Sequence, residues 1–258
     1  MMSGIEIITP NWPAPANIRA FSTTRKGGLS EAEYQSLNLG THVGDRLSTV
    51  NSNRQQLQRH VGLTTNPYWL DQTHSSEVLN IDGCVDSLCF DETNTDTLIA
   101  DASITSHVNR ACVVMTADCL PVLLCSKDGG QVAAVHAGWR GMADGIIENA
   151  IHLFNSSASD ILAWCGPCIG PSAFEVGLEV QQSLGGPVSA YLPHSDTNKV
   201  YVDLQQLAKH RLNELGVFNC YFSERCTYSE PEQFFSYRRD GVTGRMASFV
   251  WIDSINTQ

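Results

Sequence analysis

Seven short apolar runs with the character of β-strands recur along the chain, and they constrain its fold more than any other feature. They are rich in β-branched or aromatic residues and end at turn residues, which is typical of strands. Helical stretches lie among them without strict alternation, so we expect an α/β (α+β) layered fold with a mixed sheet. The predicted strands are residues 18–22, 111–116, 122–125, 132–136, 161–165, 217–222 and 246–252.

Three stretches have the spacing of amphipathic helices. Ser48 is positioned to cap a helix through His60, and apolar residues recur at helical spacing over residues 146–154. Asp203 is positioned to cap a third helix, which Gly216 would end because glycine adopts the left-handed conformation readily. We find no Pro/Gly/Ser-rich linker and no internal repeat, so we expect one domain over residues 1–258.

The charge and the cysteines restrict the partners and the compartment. The 258 residues have a net charge of −11, which argues against nucleic acid or an anionic membrane as partner, although a local arginine cluster could still bind a small anion. Thr116, Asp118 and Pro121 interrupt the longest apolar run, so we expect no transmembrane helix. The N-terminus does not resemble a signal peptide. Nine irregularly spaced cysteines then indicate reduced thiols and a cytoplasmic location.

Three residues with metal-binding side chains lie near the ends of predicted strands. Cys119 follows one strand, His136 closes another, and His74 follows a short apolar segment. Two imidazoles and one thiolate suit Zn²⁺, and Cu²⁺ less selectively, and three protein ligands leave the open position of a catalytic site. Two other interpretations remain open at this point. The three residues could serve only in packing, or Cys119 could be a nucleophile with His136 as its base.

The stretch Trp164-Cys-Gly-Pro-Cys168 matches the redox motif of thioredoxins. In thioredoxins the second cysteine lies inside a long helix whose N-terminus lowers the pKa of the first thiol. Here Gly170 and Pro171 follow directly, and proline would break such a helix within a turn. We therefore predict that Cys165 and Cys168 are buried turn cysteines without a redox role.

Basic and aromatic residues provide candidate contacts for an anionic substrate. Arg25 precedes a Gly-Gly turn whose N–H groups could assist it in binding phosphate. Arg140 lies four residues after His136, at the start of a predicted helix. Tyr237 and Arg238 combine an aromatic ring with a guanidinium near the C-terminus and are candidate substrate contacts.

Many of these segments together resemble the YfiH/laccase-domain family, whose members are also known as polyphenol oxidases or peptidoglycan editing factors. The resemblance extends from about residue 10 to the end of the chain. Residues 84–97 are longer than is usual in the family, and Cys168 stands where many members have alanine. The matching stretches are Ser22-Thr-Thr-Arg-Lys-Gly-Gly-Leu-Ser30, Ser36-Leu-Asn-Leu-Gly-Thr-His-Val-Gly-Asp45, Trp69-Leu-Asp-Gln-Thr-His74, Ala100-Asp-Ala-Ser-Ile-Thr105, Thr116-Ala-Asp-Cys-Leu-Pro-Val-Leu-Leu124, Ala134-Val-His-Ala-Gly-Trp-Arg-Gly141, Gly166-Pro-Cys-Ile-Gly-Pro171 and Phe235-Ser-Tyr-Arg-Arg-Asp-Gly241.

The resemblance implies a compact three-layer α/β/α fold similar to certain toxin deamidases, and a metal site of His74, Cys119 and His136. It implies metal-dependent phosphorolysis of adenosine, inosine, guanosine and methylthioadenosine, with adenosine deamination as a second activity. The small-molecule partners would be a purine nucleoside and phosphate, for which Arg25 and Arg140 are the candidate anion contacts. The main alternative is a cysteine hydrolase of cell-wall precursors. Copper-dependent oxidation of phenols ranks lower, because multicopper oxidases need more His ligands than eight scattered histidines supply.

Overall fold

A computed structural model describes residues 4–84 and 98–254, so most of the unusually long segment 84–97 lies outside the described residues. The helices of the described part, α1 to α6, are Leu47–Val61, Trp139–Ala143, Ile146–His152, Leu178–Leu184, Leu204–Glu214 and Tyr237–Asp240. The strands, β1 to β13, are Ile7–Ile8, Ile18–Thr23, Val78–Asn80, Ala102–Thr105, Ala111–Thr116, Leu120–Ser126, Val132–Ala137, Ile161–Cys165, Glu175–Gly177, Tyr191–Pro193, Lys199–Val202, Asn219–Phe222 and Met246–Ile252.

The described strands form one mixed sheet and two antiparallel sheets. The largest has the order β12-β8-β6-β7-β4-β3, in which the outer pairs β12/β8 and β3/β4 are parallel and the central pairs are antiparallel. The second sheet has the order β1-β2-β13-β5, and a small third sheet joins β10, β11 and β9. The predicted mixed sheet is therefore confirmed, and the four-stranded antiparallel sheet accompanies it.

The central strands β6 and β7 are buried along their whole length. On one face, Val122 and Leu124 share an apolar cluster with residues of α3 and α5, such as Ile147 and Leu207. On the other face, Leu123 belongs to a second cluster with residues of the four-stranded sheet. Because side chains alternate between the faces of a strand, burial on both faces explains why these runs are continuously apolar.

The α/β class predicted from the sequence is confirmed, and the β layer between the helices is double. Helix α1 covers the outer face of the four-stranded sheet, where Leu57 joins the cluster of Val113 and Phe249. Helices α3 and α5 cover the outer face of the mixed sheet. Among the described residues, no helix is long and apolar enough to cross a membrane.

The ends of the elements depend on local contacts. Asp203 caps α5 as predicted, because its carboxylate accepts a hydrogen bond from Gln206 N at 3.0 Å, and Gly216 follows the helix with a positive φ of 89°. The predicted cap at Ser48 is wrong, since α1 begins at Leu47 and the residue before it makes no side-chain cap. The strand predicted from residue 217 begins at residue 219, because Val217 N bonds instead to the carbonyl of Leu212 at the end of α5.

Candidate metal centre

Three separate elements bring His74, Cys119 and His136 together. Cys119 lies in the turn between β5 and β6, and His136 lies in β7, where it pairs with Pro121 of β6. His74 lies in the segment before β3, and its Nε2 atom is 3.9 Å from the Cys119 Sγ. The candidate ligand atoms of the three residues lie within 4.8 Å of one another, and the two imidazole rings meet edge to face. The structure thus brings together the three residues that the sequence nominated as ligands.

A buried carboxylate, Asp101, orients two of these side chains. Its Oδ1 atom lies 2.7 Å from Nδ1 of His136, so the other ring nitrogen of His136 is left for a ligand. The same carboxylate accepts hydrogen bonds from the main-chain N–H groups of Thr73, His74 and Ser75, at 2.6–3.1 Å. Asp101 directly precedes β4, which pairs with β7, so the sheet fixes its distance from His136. Such a carboxylate–histidine contact is typical of the groups that support metal ligands.

Two residues at this site have a backbone conformation that favours glycine. His74 has a φ of 62° and Asp118, next to Cys119, has a φ of 99°. The bonds to Asp101 hold the turn around His74. The Asp118 carboxylate accepts hydrogen bonds from the Thr227 hydroxyl and the Arg238 N–H, both at 2.6 Å. Strained backbone held by such contacts is common at functional sites, where it fixes side-chain direction.

Charges at the site stabilise each other. Burial raises the pKa of the Cys119 thiol, but the His136 charge and hydrogen bonds from both histidines outweigh burial and lower it to about 6. Burial opposes the charged form of His136, but the Cys119 thiolate and the bond to Asp101 raise its pKa. Burial also raises the pKa of Asp101, but the hydrogen bonds to His136 and Ser75 outweigh burial and lower this pKa to about 2. Near neutral pH the site therefore favours a thiolate, which is the form that binds metals and acts as a nucleophile.

Gly138 leaves room for the three side chains. It precedes α2, and a Cβ atom at this position would lie 2.9 Å from Cδ2 of His74 and 3.2 Å from the Cys119 Sγ. The first of these distances is shorter than van der Waals contact allows. A side chain at residue 138 would therefore displace the histidine, the cysteine or both.

The donor set fits a catalytic metal site. His74, Cys119 and His136 form a group of three side chains whose ligand atoms approach closely enough to bind one ion. Within residues 4–84 and 98–254, no other group of three His, Cys, Asp or Glu side chains does so. Two imidazoles and a thiolate match the ligands that Zn²⁺ prefers, and a site with three protein ligands keeps one position for water or substrate. The residues present can therefore hold the ion that the sequence predicts.

The predicted anion contacts occupy different environments. The Arg25 guanidinium donates to the carbonyls of Gln35 and Pro231 and lies 4.5 Å from the centre of the Phe235 ring, so it connects segments of the chain. Arg140 is exposed in α2, two residues after Gly138. Neither arrangement tests a role in binding phosphate, which stays a prediction.

The two C-terminal candidates lie in α6, which a hydrogen bond joins to the candidate metal centre. The main-chain N–H of Arg238 donates to Asp118, beside Cys119, whereas its guanidinium donates to the carbonyl of Glu175. Tyr237 is 62% exposed, and its ring lies 6.0 Å from the Arg245 guanidinium. The Tyr237 ring is thus free to contact a ligand, while the Arg238 side chain already has a main-chain partner.

The cysteines of the thioredoxin-like motif lie in the core. Cys165 ends β8 and is fully buried, and Cys168 is 2% exposed. Burial raises the pKa of both thiols above the ordinary value. A strand and a turn, rather than a helix, contain the motif. Both cysteines are buried as predicted, although Cys165 lies in a strand rather than in a turn, and burial opposes the reactive thiolate that a dithiol enzyme needs.

Two residues of the site have no individual role in the sequence analysis. Asp101 lies within one of the family-like stretches, but a lone aspartate before a short strand gives no local sign that it orients a histidine. Arg245 follows the last such stretch, and the charges of Cys119 and Asp118 act on its guanidinium. Both reach the site through sheet pairing, which links residues far apart in the sequence.

Comparisons with known proteins give a consistent match over nearly the whole chain. A family model for multi-copper polyphenol oxidoreductase laccases matches residues 19–253. The chain is 45% identical over 251 residues to the purine nucleoside phosphorylase YfiH of Escherichia coli K12, covering 96% of this chain and 99% of the relative. It is also 45% identical over 254 residues to a purine nucleoside phosphorylase of Haemophilus influenzae, covering 96% and 100%. A crystal structure of a Neisseria meningitidis protein superposes with a TM-score of 0.87 at 42% identity, covering 96% and 99%.

Proposed function

The chain belongs to the multi-copper polyphenol oxidoreductase laccase family, and from this premise we propose that it is a metal-dependent purine nucleoside phosphorylase. Its substrates would be adenosine, inosine, guanosine and methylthioadenosine, with adenosine deamination as a second activity. The observation that most supports this proposal is the convergence of His74, Cys119 and His136 within 4.8 Å of one another. The names of the Escherichia coli and Haemophilus influenzae relatives supply the reaction class.

In this proposal the three converging side chains would hold Zn²⁺ or, less selectively, Cu²⁺. When bound, such an ion supplies Lewis acidity next to the nucleoside. Asp101 keeps the His136 Nδ1 atom occupied and so leaves the other ring nitrogen as the one that would bind the ion. Gly138 keeps the space between the imidazoles and the thiolate open.

Phosphorolysis also requires a phosphate to be held against the ribose C1′ atom. Arg140 is a candidate because it is exposed and lies close in sequence to Gly138, which borders the site. The exposed ring of Tyr237 is a candidate surface for stacking with the purine. Arg25 and Arg238 remain candidate contacts as well, although main-chain carbonyls already accept from their guanidiniums.

We place the protein in the cytoplasm, because reduced thiols such as Cys112 persist in that compartment.

A second candidate function is a cysteine hydrolase acting on cell-wall precursors. The observation that favours it is the arrangement of the Cys119 thiolate beside His136, which Asp101 orients, since this resembles a nucleophile, a base and an orienting carboxylate. Copper-dependent oxidation of phenols ranks third, because three protein ligands are few for a multicopper site.

Product analysis with adenosine separates these functions. With phosphate, the metal-loaded protein should release adenine and ribose 1-phosphate, and without added phosphate some inosine should appear. A matched control is the double variant C165A/C168A, which changes two thiols outside the site and should keep turnover within a few-fold of the parent. An enzyme that ignores chelators and phosphate, yet hydrolyses an amide and loses activity when Cys119 is alkylated, would contradict the proposal in favour of the hydrolase.

A further inference from the structure

Arg245 has a guanidinium with unused donors. It directly precedes β13, and its Nη1 atom donates to the carbonyls of Thr243 and Gly244 at 3.0 and 3.1 Å. Among the described residues, the Nε and Nη2 atoms donate to no acceptor, and no carboxylate lies within 4.0 Å of the guanidinium. Four other arginines do pair with carboxylates: Arg19, Arg211, Arg225 and Arg239.

The pairing of β13 with β5 places Arg245 beside the candidate metal centre. Met246 is opposite Thr116, so Arg245 lies next to the turn that begins at Ala117 and contains Cys119. The Cys119 and Asp118 charges act on the guanidinium. Asp118 is already committed, because Thr227 and Arg238 donate to both of its oxygens. Arg245 thus lies near the site without a carboxylate of its own to neutralise it.

A second guanidinium, that of Arg54, lies near the same segment, where its Nη2 atom contacts the Met115 sulfur. Arg54 lies in α1, where it donates two hydrogen bonds to the carbonyl of Leu39 and stacks 3.7 Å from the centre of the Trp69 ring. Burial is the main cause that lowers the pKa of His42, and the charges of Arg245 and Arg54 lower it further. The charge of Asp71 acts in the opposite direction and raises this pKa. Two guanidinium charges, those of Arg54 and Arg245, therefore act on the same neighbouring residue in a chain whose net charge is −11. A local positive field of this kind attracts a small anion.

We propose that Arg245 binds a phosphate oxyanion beside the candidate metal centre, through the guanidinium donors that have no partner among the described residues. A planar guanidinium offers two parallel N–H groups to such an anion. Arg25 and Arg54 are less suited, because the Nε atom and one Nη atom of each already donate to main-chain carbonyls, whereas in Arg245 only Nη1 does so. The inference rests on the proposed function, for which it supplies the site of the second substrate.

Titration of inorganic phosphate into the metal-loaded protein tests this inference. We expect Arg245→Gln to weaken phosphate binding and to raise the KM for phosphate, each by about 10-fold or more. The KM for adenosine and the metal content should stay close to the parent values. Arg245→Lys, which keeps the charge but not the fork, should be intermediate. The control Arg59→Gln removes the same charge from an exposed position at the end of α1 and should bind phosphate as the parent does.

The outcomes distinguish this inference from the proposed function. Unchanged phosphate affinity in Arg245→Gln, or no phosphate binding by the parent, overturns the inference even if adenosine is phosphorolysed. Weakened binding in a protein that forms no ribose 1-phosphate supports the inference and contradicts the proposed function. A parallel titration with adenosine 5′-monophosphate identifies the source of the oxyanion. A loss of affinity for inorganic phosphate supports the inference, whereas a loss confined to the nucleotide overturns it and assigns Arg245 to a nucleotide phosphate instead. If Arg245→Gln fails to fold, the Arg245→Lys affinity decides, and a parent-like value contradicts the inference.

Discussion

At the scale of single residues, Asp101 connects parts of the site that no short motif joins. Its carboxylate contacts the ring of His136 and the main chain at His74, so one side chain fixes the direction of one proposed ligand and the turn that holds another. Folding lowers the pKa of Asp101 from 3.8 to about 2. Its contribution to stability is therefore present above its ordinary pKa and is lost as the pH falls toward 2.

Replacing Asp101 by asparagine should weaken metal binding by about 10- to 100-fold, as is typical when a group supporting a metal ligand is lost. The amide keeps the size of the side chain but brings an N–H₂ group toward donors that need an acceptor. Competition with a chelator at neutral pH measures the affinity. Asp82→Asn is a suitable control, since Asp82 also accepts main-chain and hydroxyl bonds, from Ser106, but bonds to none of the three proposed ligands. Parent-like metal affinity in Asp101→Asn would show that the orientation of His136 does not matter.

Gly138→Ala should lower metal affinity and turnover together, because the added Cβ atom would displace His74 or Cys119. The backbone can accept the alanine, since Gly138 has a φ of −66°, so the free energy of unfolding should change by less than about 1 kcal/mol if the side chains give way. Metal content, turnover and urea unfolding are the measurements. Gly83→Ala serves as a control, because a Cβ atom there meets nothing within 4 Å. Full activity of Gly138→Ala would mean that the site is wider than described.

At the scale of elements, the turn between β5 and β6 positions Cys119. Asp118 in this turn accepts hydrogen bonds from Thr227 and from the first turn of α6, and its carbonyl accepts from Ile169 after β8. One residue thus joins the turn to three other parts of the chain. The positive φ of Asp118 requires such support, because residues other than glycine rarely adopt it.

Asp118→Ala should lower the free energy of unfolding by about 2–3 kcal/mol, because the buried Thr227 hydroxyl and the Arg238 N–H lose their acceptor. Metal affinity should fall as well, since Cys119 follows directly. Asp203→Ala, which removes the cap of α5 away from the site, should cost only about 1 kcal/mol and leave metal affinity unchanged. Urea unfolding and chelator competition test both. Equal losses of stability and normal metal binding in both variants would contradict the role assigned to Asp118.

The elements also show what the sequence can predict and why the rest escapes it. The end of α5 is predictable, because a capping aspartate and a left-handed glycine act locally. The start of α1 is not, since its first residue has no capping side chain before it. Continuous apolar runs predict buried strands, but a buried face can meet a helix or another sheet, so the second β layer has no local signal. Cys119 and His136 are predictable as site residues because they lie near the ends of predicted strands. The strand pairing that brings Asp101 and Arg245 close to them joins distant parts of the sequence and is visible only in the fold.

At the scale of the whole molecule, the family match extends over almost the entire chain. The match of the family model to residues 19–253 includes all three proposed ligands and Arg245. In the described structure, two stacked sheets form the apolar interior. The ionisable side chains of Cys119, His74 and His136 are grouped at one site beside it. One domain over residues 1–258 stays a prediction.

The most direct test of the central claim is the rate of ribose 1-phosphate release from adenosine as metal is added back to metal-free protein. If His74, Cys119 and His136 hold the catalytic ion, the rate should rise with added Zn²⁺ and level off at about one equivalent per chain. Cys119→Ala should stay inactive over the same range, since it loses the thiolate that no neighbour replaces. Full phosphorolysis by the metal-free protein, or a Cys119→Ala variant as active as the parent, would contradict the account.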